Sequence, residues 1–159
     1  MEQCRLMYLT TRRGYASKAY GLAGLRLGYG ISSAAIADIL NRARLPFNVN
    51  MMAVKVGCAA LADKNHLVET KTSNVIGMKQ IKEGLSNLNL NYIPSVANFI
   101  SFEVIDADKI YVELLKKGII VRPLTPYHLP YHIRVTIGTE SQNERFLKTL
   151  SNLKSEKNE

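Results

Sequence analysis

The sequence predicts an α/β chain that ends in a small α+β domain, and three features carry that reading. ANFISFEV (97–104) alternates as a strand, DADKIYVELLKKG (106–118) has the spacing of an amphipathic helix, and IIVRP (119–123) reads as a further strand, giving a strand, helix, strand succession. A second alternating stretch, HIRVTIGT (132–139), leads directly into TESQNERFLKTLSNLK (139–154), whose apolar residues recur at helical spacing. Residues 1 to 47, by contrast, hold one strand and one helix, too little for a sheet domain of their own.

In chain order, CRLMYLT (4–10) reads as a short buried strand, and the stretch from Gly14 to Gly30 as a glycine-punctuated loop entering a helix. Ser32 is a good N-cap, and Ala35, Ile36, Ile39, Leu40 and Ala43 then line one face until Pro46 stops the helix. A second helix starts near Asn50 with Met51, Val54, Cys58, Leu61 and Ala62 on one face, and continues after a break from Leu67 to Leu85 as a connecting helix. Downstream, Asp106 caps a helix that Gly118 ends. In the last strand Ile133, Val135 and Ile137 face one way and Arg134, Thr136 and Gly138 the other, and Thr139 caps the closing helix. The divisions expected are 1–47, 48–79 as a connecting helix region, 80–154 as the small domain, and 155–159 as a frayed tail.

Composition narrows the function classes. With 159 residues, 47% hydrophobic and 21% charged, the chain can bury a core and is not a disordered tail. The longest uncharged stretch, Gly84 to Phe102, is broken by Asn87, Asn89, Asn91 and Pro94, so no membrane span is expected. The N-terminus lacks the apolar core of a signal peptide and Cys4 and Cys58 cannot form a disulfide scaffold, so cytoplasm is the expected compartment. Nearly all of the net charge of +8 sits in the first 80 residues, where eleven Lys/Arg face four Asp/Glu. Such an excess could meet nucleic acid, an acidic membrane surface or a phosphorylated small molecule. Adjacent basic residues occur only at Arg12-Arg13 and Lys116-Lys117, with no RNA-binding aromatic motif, so nucleic acid is not the expected partner. His66, His128 and His132 show no metal-ligand spacing, and no metal is expected.

The most specific stretch is Ser17-Lys18-Ala19-Tyr20-Gly21-Leu22-Ala23-Gly24-Leu25-Arg26-Leu27-Gly28-Tyr29. It resembles the lysine segment of fold-type I pyridoxal-phosphate aminotransferases, most of all the histidinol-phosphate aminotransferase family. PFNVN (46–50), SVANF (95–99), GIIVRPL (118–124), HIRVTIGT (132–139) and Asn143-Glu144-Arg145 agree with it in order. The resemblance runs from about residue 15 to 153 and matches the C-terminal portion of such an enzyme. It implies that residues 1–47 are a remnant of the cofactor-binding large domain and that 80–154 are the small domain. It further implies a pyridoxal 5'-phosphate cofactor, a phosphorylated amine or amino-acid substrate with a 2-oxo acid, and a homodimer in the complete enzyme. The reaction resembled is amino transfer between histidinol phosphate and 2-oxoglutarate. Other branches, a threonine-phosphate decarboxylase or an aromatic aminotransferase, and a folded interaction module without catalysis remain open alternatives.

The resemblance assigns roles that the chemistry of the residues suits. Lys18 is the implied catalytic residue, its amine joining the cofactor aldehyde and later shuttling a proton. Arg26 would anchor the cofactor phosphate through a guanidinium fork, and Ser17 would add a hydroxyl. Arg134 would receive the anionic end of the substrate, Arg122 would converge with it on a phosphate and Asn98 would join them in binding substrate, while Asn50 would lie near the site. The bland readings are as concrete. Lys18 would be a solvated lysine, the glycines would serve packing, and either arginine would be solvated at a strand edge or paired with Glu103 or Asp106. Asn50 and Asn98 would cap a helix or fix a loop, and Tyr20 and Tyr29 would pack or neighbour the cofactor alike.

Overall fold

The glycine-rich N-terminal segment does not run straight into a helix as its punctuation suggests; it is framed by a pair of strands. In the computed structural model, which describes residues 12–15 and 18–155, β1 (Arg12–Tyr15) pairs antiparallel with β2 (Gly28–Ile31), from Arg12 opposite Ile31 to Tyr15 opposite Gly28. A 3₁₀ turn, Ala23–Leu25, lies between them. The strand expected over 4–10, Ser17, and the tail beyond Ser155 lie outside the described residues.

Two compact units divide at Lys71 and Thr72. In the first, α1 (Ala34–Ala43) is capped at Ser33, one residue later than expected, with no side-chain hydrogen bond. Ser32 Oγ instead donates to the Ser33 carbonyl at 3.3 Å. Asn50 caps α2 (Met51–Ala62), its carboxamide oxygen accepting from the Ala53 amide at 2.8 Å. The expected apolar faces of both helices are not the buried ones. Of α1 only Ala37 is buried while Ile36 and Ile39 are exposed, and α2 buries Ala53 and Gly57 rather than Met51 or Leu61. For α2 the reason is local: Gly57 faces the side chain of buried Leu27, and a small residue there lets the helix approach more closely than Met or Leu would. α3 (Lys64–Asn87) follows after a break at Asp63, as the pattern indicates.

The second unit is a four-stranded antiparallel sheet backed by helices. Its order is β3 (Tyr92–Ile93), β4 (Phe99–Glu103), β6 (His132–Thr136), β5 (Arg122–Pro123). The strands flanking α4 (Ala107–Lys116) are therefore not neighbours, because β6 lies between them. β5 is only two residues long, and Pro123, which has no N–H to donate, suits such an edge. Ile100, Phe102, Ile133 and Val135 form the buried sheet face and pack in one cluster with Met78, Ile81 and Leu85 of α3, Ile110 and Leu114 of α4, and Phe146, Leu150 and Leu153 of α5 (Glu140–Ser155). Phe102 and Phe146 meet edge to face at 5.9 Å. Caps set the helix ends where the sequence places them. The Asp106 carboxylate accepts from the Lys109 amide at 3.1 Å, and Gly118 closes α4 at φ +73°, a region costly for any residue with a Cβ. Thr139 and Gln142 cap each other at the start of α5, amide to side chain in both directions.

Candidate active site

Lys18 and Arg26 belong to the first unit, and Arg122, Arg134 and Asn98 to the second. Lys18 is exposed at the start of a turn in which the Gly21 amide donates to the Lys18 carbonyl at 3.1 Å. Gly21 takes φ +67°, which only glycine adopts without strain, and a Cβ built on Gly21 or Gly24 would meet no atom within 4 Å. The backbone beyond Lys18 is thus open to close approach. Arg26 ends the 3₁₀ turn in the left-handed region, at φ 53°, a conformation that costs a non-glycine residue about 1 to 2 kcal/mol. Its guanidinium is exposed and folds back so that Nη1 donates to the Ala23 carbonyl at 2.9 Å, which leaves four of its five N–H donors for other acceptors.

The second unit brings three of the remaining residues onto one neighbourhood of its sheet. Arg122 and Arg134 are direct cross-strand partners on β5 and β6, and Ser101 of β4 pairs with Arg134 from the other side. These positions alternate with the buried Ile133 and Val135, so they belong to the face turned away from the core. Arg134 stacks over Phe99, 4.7 Å from guanidinium carbon to ring centre. Arg122 lies 5.4 Å over the Tyr127 ring and donates through Nη2 to the Tyr127 hydroxyl at 2.9 Å. Asn98 precedes Phe99, and its carbonyl accepts from the Ile137 amide at 2.9 Å, joining the start of β4 to the end of β6.

The carboxylates named as alternative partners of the arginines are engaged elsewhere. Glu103 accepts from Asn91 Nδ2 at 3.3 Å, and Asp106 caps α4. Among the described residues no carboxylate forms an ion pair with Arg122 or Arg134. Asn50, as the bland reading has it, caps a helix. Sequence reasoning missed Phe99 and Tyr127 as supports for the arginines. The available signal was an aromatic five residues after Arg122, but only the intervening 3₁₀ turn, Thr125–Tyr127, returns its ring to the arginine. No group of three His, Cys, Asp or Glu among the described residues is placed to hold a metal ion, and none of their helices is long and apolar enough to cross a membrane. A groove of about 470 Å³ bounded by Asn91, Glu103, Tyr131 and Lys154 contains none of the candidate residues.

The arrangement can therefore offer an amine and a guanidinium on an open loop, and a pair of guanidiniums on a sheet face. The family of class I and II aminotransferases matches residues 14–150. The histidinol-phosphate aminotransferase of Methylobacillus flagellatus is 49% identical over 137 residues, 86% of this chain and 37% of that protein. Among solved structures, the histidinol-phosphate aminotransferase of Clostridium acetobutylicum superposes with a TM-score of 0.84 at 25% identity, over 91% of this chain and 45% of that one. That of Sinorhizobium meliloti, solved in complex with pyridoxal-5'-phosphate, gives 0.73 at 28% identity over 89% and 39%. The chain thus spans well under half the length of these relatives, and with a family match over most of its own residues it belongs to the class I and II aminotransferases.

Proposed function

We propose that this chain is the C-terminal portion of a cytoplasmic, homodimeric histidinol-phosphate aminotransferase that uses pyridoxal 5'-phosphate and 2-oxoglutarate. Residues 1–47 are then the remnant of the cofactor-binding domain, 48–79 the connecting helix region and 80–154 the small domain. The observation that carries the substrate class is the cross-strand Arg122–Arg134 pair, two guanidiniums on one sheet face with no described carboxylate between them. Such a pair has the charge and the fork geometry for a dianionic phosphate. The 49% identity to a histidinol-phosphate aminotransferase supports the same branch. Neither nucleic acid nor a membrane enters this reading.

The loop fits the cofactor: a lysine at position 18, a guanidinium with unused donors at Arg26, and uncovered backbone at Gly21 and Gly24 suit a phosphorylated aldehyde. When bound, pyridoxal phosphate supplies an electron-withdrawing ring that stabilises negative charge at the substrate Cα. Lys18 takes the Cα proton as general base and returns it on the other side of the transfer. Arg26, with Ser17, holds the cofactor phosphate. Arg122 and Arg134 orient the substrate by its anionic end, and Asn98 fixes the junction between β4 and β6 from which Arg134 projects.

The test is covalent. Pyridoxal phosphate added to the 159-residue chain and fixed with borohydride should label Lys18, read by peptide mass spectrometry, and Lys18→Ala should remove that label. Equal labelling of several lysines, with no preference for Lys18, defeats the assignment, since any exposed lysine reacts weakly with an aldehyde.

A further inference from the structure

Arg122 poses a problem that the proposed function does not solve. It is exposed, it lies on a two-residue edge strand, and it stands directly opposite another arginine. Cross-strand partners hold their Cβ atoms about 5 Å apart, close enough for like charges to repel. A long flexible side chain in that position would swing into solvent, away from Arg134, and a phosphate would have to recover its lost rotamer freedom on binding.

We propose that Tyr127 is a positioning residue for Arg122, holding its guanidinium in place so that the Arg122–Arg134 pair receives a phosphate dianion in preference to a carboxylate. This rests on the reading of the two arginines as the anion-binding pair. The hydroxyl of Tyr127 accepts from Arg122 Nη2 at 2.9 Å, and the same ring lies under the guanidinium at 5.4 Å. The two contacts restrain different motions. The hydrogen bond fixes rotation in the guanidinium plane, and the ring contact fixes its tilt. Only one of five N–H donors is consumed, so the remaining donors stay available to phosphate oxygens.

Tyr127 can do this because its own backbone is fixed. Pro126 stands inside the 3₁₀ turn Thr125–Tyr127, the Tyr127 amide donates to the Leu124 carbonyl at 2.8 Å, and the Leu129 amide donates to the same carbonyl at 3.3 Å. His128 then reverses the chain in the left-handed region at φ 60°, and the His132 amide donates to the Leu129 carbonyl at 3.1 Å where β6 begins. Arg122, Tyr127 and Arg134 are thereby tied through one short loop joining β5 to β6. Arg134 has its own support in Phe99, which offers a ring and no hydroxyl. The two arginines therefore differ in how tightly they are oriented, and the difference falls on Arg122.

The experiment uses the uniformly ¹⁵N-labelled 159-residue chain, titrated separately with inorganic phosphate and with acetate while the Nε–H signals of Arg122 and Arg134 are followed. Phosphate should shift both signals. Tyr127→Phe, which keeps the ring and removes the acceptor, should weaken phosphate about three- to tenfold, the scale of one hydrogen bond, and leave acetate unchanged because a single guanidinium suffices for it. Unaltered amide shifts of Ile100 and Ile133 show that the sheet is intact in the variant. Unchanged phosphate affinity in Tyr127→Phe would overturn the role of Tyr127 while leaving the arginine pair standing. Equal weakening of phosphate and acetate would also overturn it, by making Tyr127 a prop of the fold. Absence of any phosphate response in the unaltered chain would overturn the arginine pair and this inference together.

Discussion

Asn143→Ala offers the sharpest test of how the second unit holds the strand that carries Arg134. Asn143 is 2% exposed and sits in the first turns of α5. Its side chain accepts from the Gly138 amide at 2.9 Å, donates to the Gly138 carbonyl at 3.2 Å and donates to Gln80 Oε1 at 3.0 Å. One carboxamide thus closes the turn between β6 and α5 and ties it to α3. Alanine removes all three bonds and leaves the part-buried Gly138 N–H without its acceptor, which together should cost about 2 to 4 kcal/mol. Hydrogen exchange of the Ile133 and Val135 amides reads the effect within the second unit, independent of whether the first unfolds separately. Asn152→Ala, at an exposed position on the same helix, is the control and should stay within about 0.5 kcal/mol. A loss below about 0.5 kcal/mol in Asn143→Ala would refute the reasoning, because three satisfied bonds to a buried group cannot be removed so cheaply.

Two further outcomes follow from packing and from titration. Phe102→Ala should destabilise the second unit by about 3 to 5 kcal/mol, measured by urea unfolding, because Phe102 is fully buried on the core face of the sheet, against Phe146. Lys116, donating to Glu113 Oε1 at 2.8 Å, holds the Glu113 carboxyl below its ordinary 4.5. The folded state therefore binds fewer protons there, so its small contribution is complete above pH 4.5 and fades as the pH falls through the lowered value. Glu113→Gln should flatten the pH dependence of Tm in that acidic range and leave it unchanged at neutral pH.

What the sequence reveals here depends on whether the deciding physics is local. The ends of α4 and α5 were legible because Asp106, Gly118 and Thr139 act on backbone groups within a few residues of themselves. The break at Asp63 and the cap at Asn50 are of the same kind. The strands β1 and β2 were not legible, since RRGY and GYGI lack the alternation that marks a half-buried strand, and their pairing is read only across the loop they frame. The buried face of α2 departs from its apolar stripe for a related reason: which stripe is buried depends on the partner, and Leu27 selects the Gly57 side. The strand order β3-β4-β6-β5 is set by non-local pairing, so the placement of Arg122 opposite Arg134 could be suspected but not read. Within the candidate site, Lys18, Arg26, Arg122 and Arg134 announce themselves through sequence motifs. Phe99 and Tyr127 do not, because an aromatic ring under a guanidinium leaves no spacing rule behind.

The arginine pair also shows where stability and function pull apart. Like charges at directly opposed sheet positions destabilise by about 0.2 to 1 kcal/mol, and a carboxylate at either position would remove that cost. The sequence has carboxylates nearby and commits them otherwise, Glu103 to Asn91 and Asp106 to the cap of α4. What each arginine receives instead is an aromatic ring, worth about 0.5 to 1 kcal/mol at an exposed site, which offsets the repulsion without neutralising either charge. Ion pairing would have stabilised the sheet and silenced the site. Ring stacking stabilises it to a similar extent and leaves both charges unneutralised, which is the state that the proposed anion-binding role of this face requires.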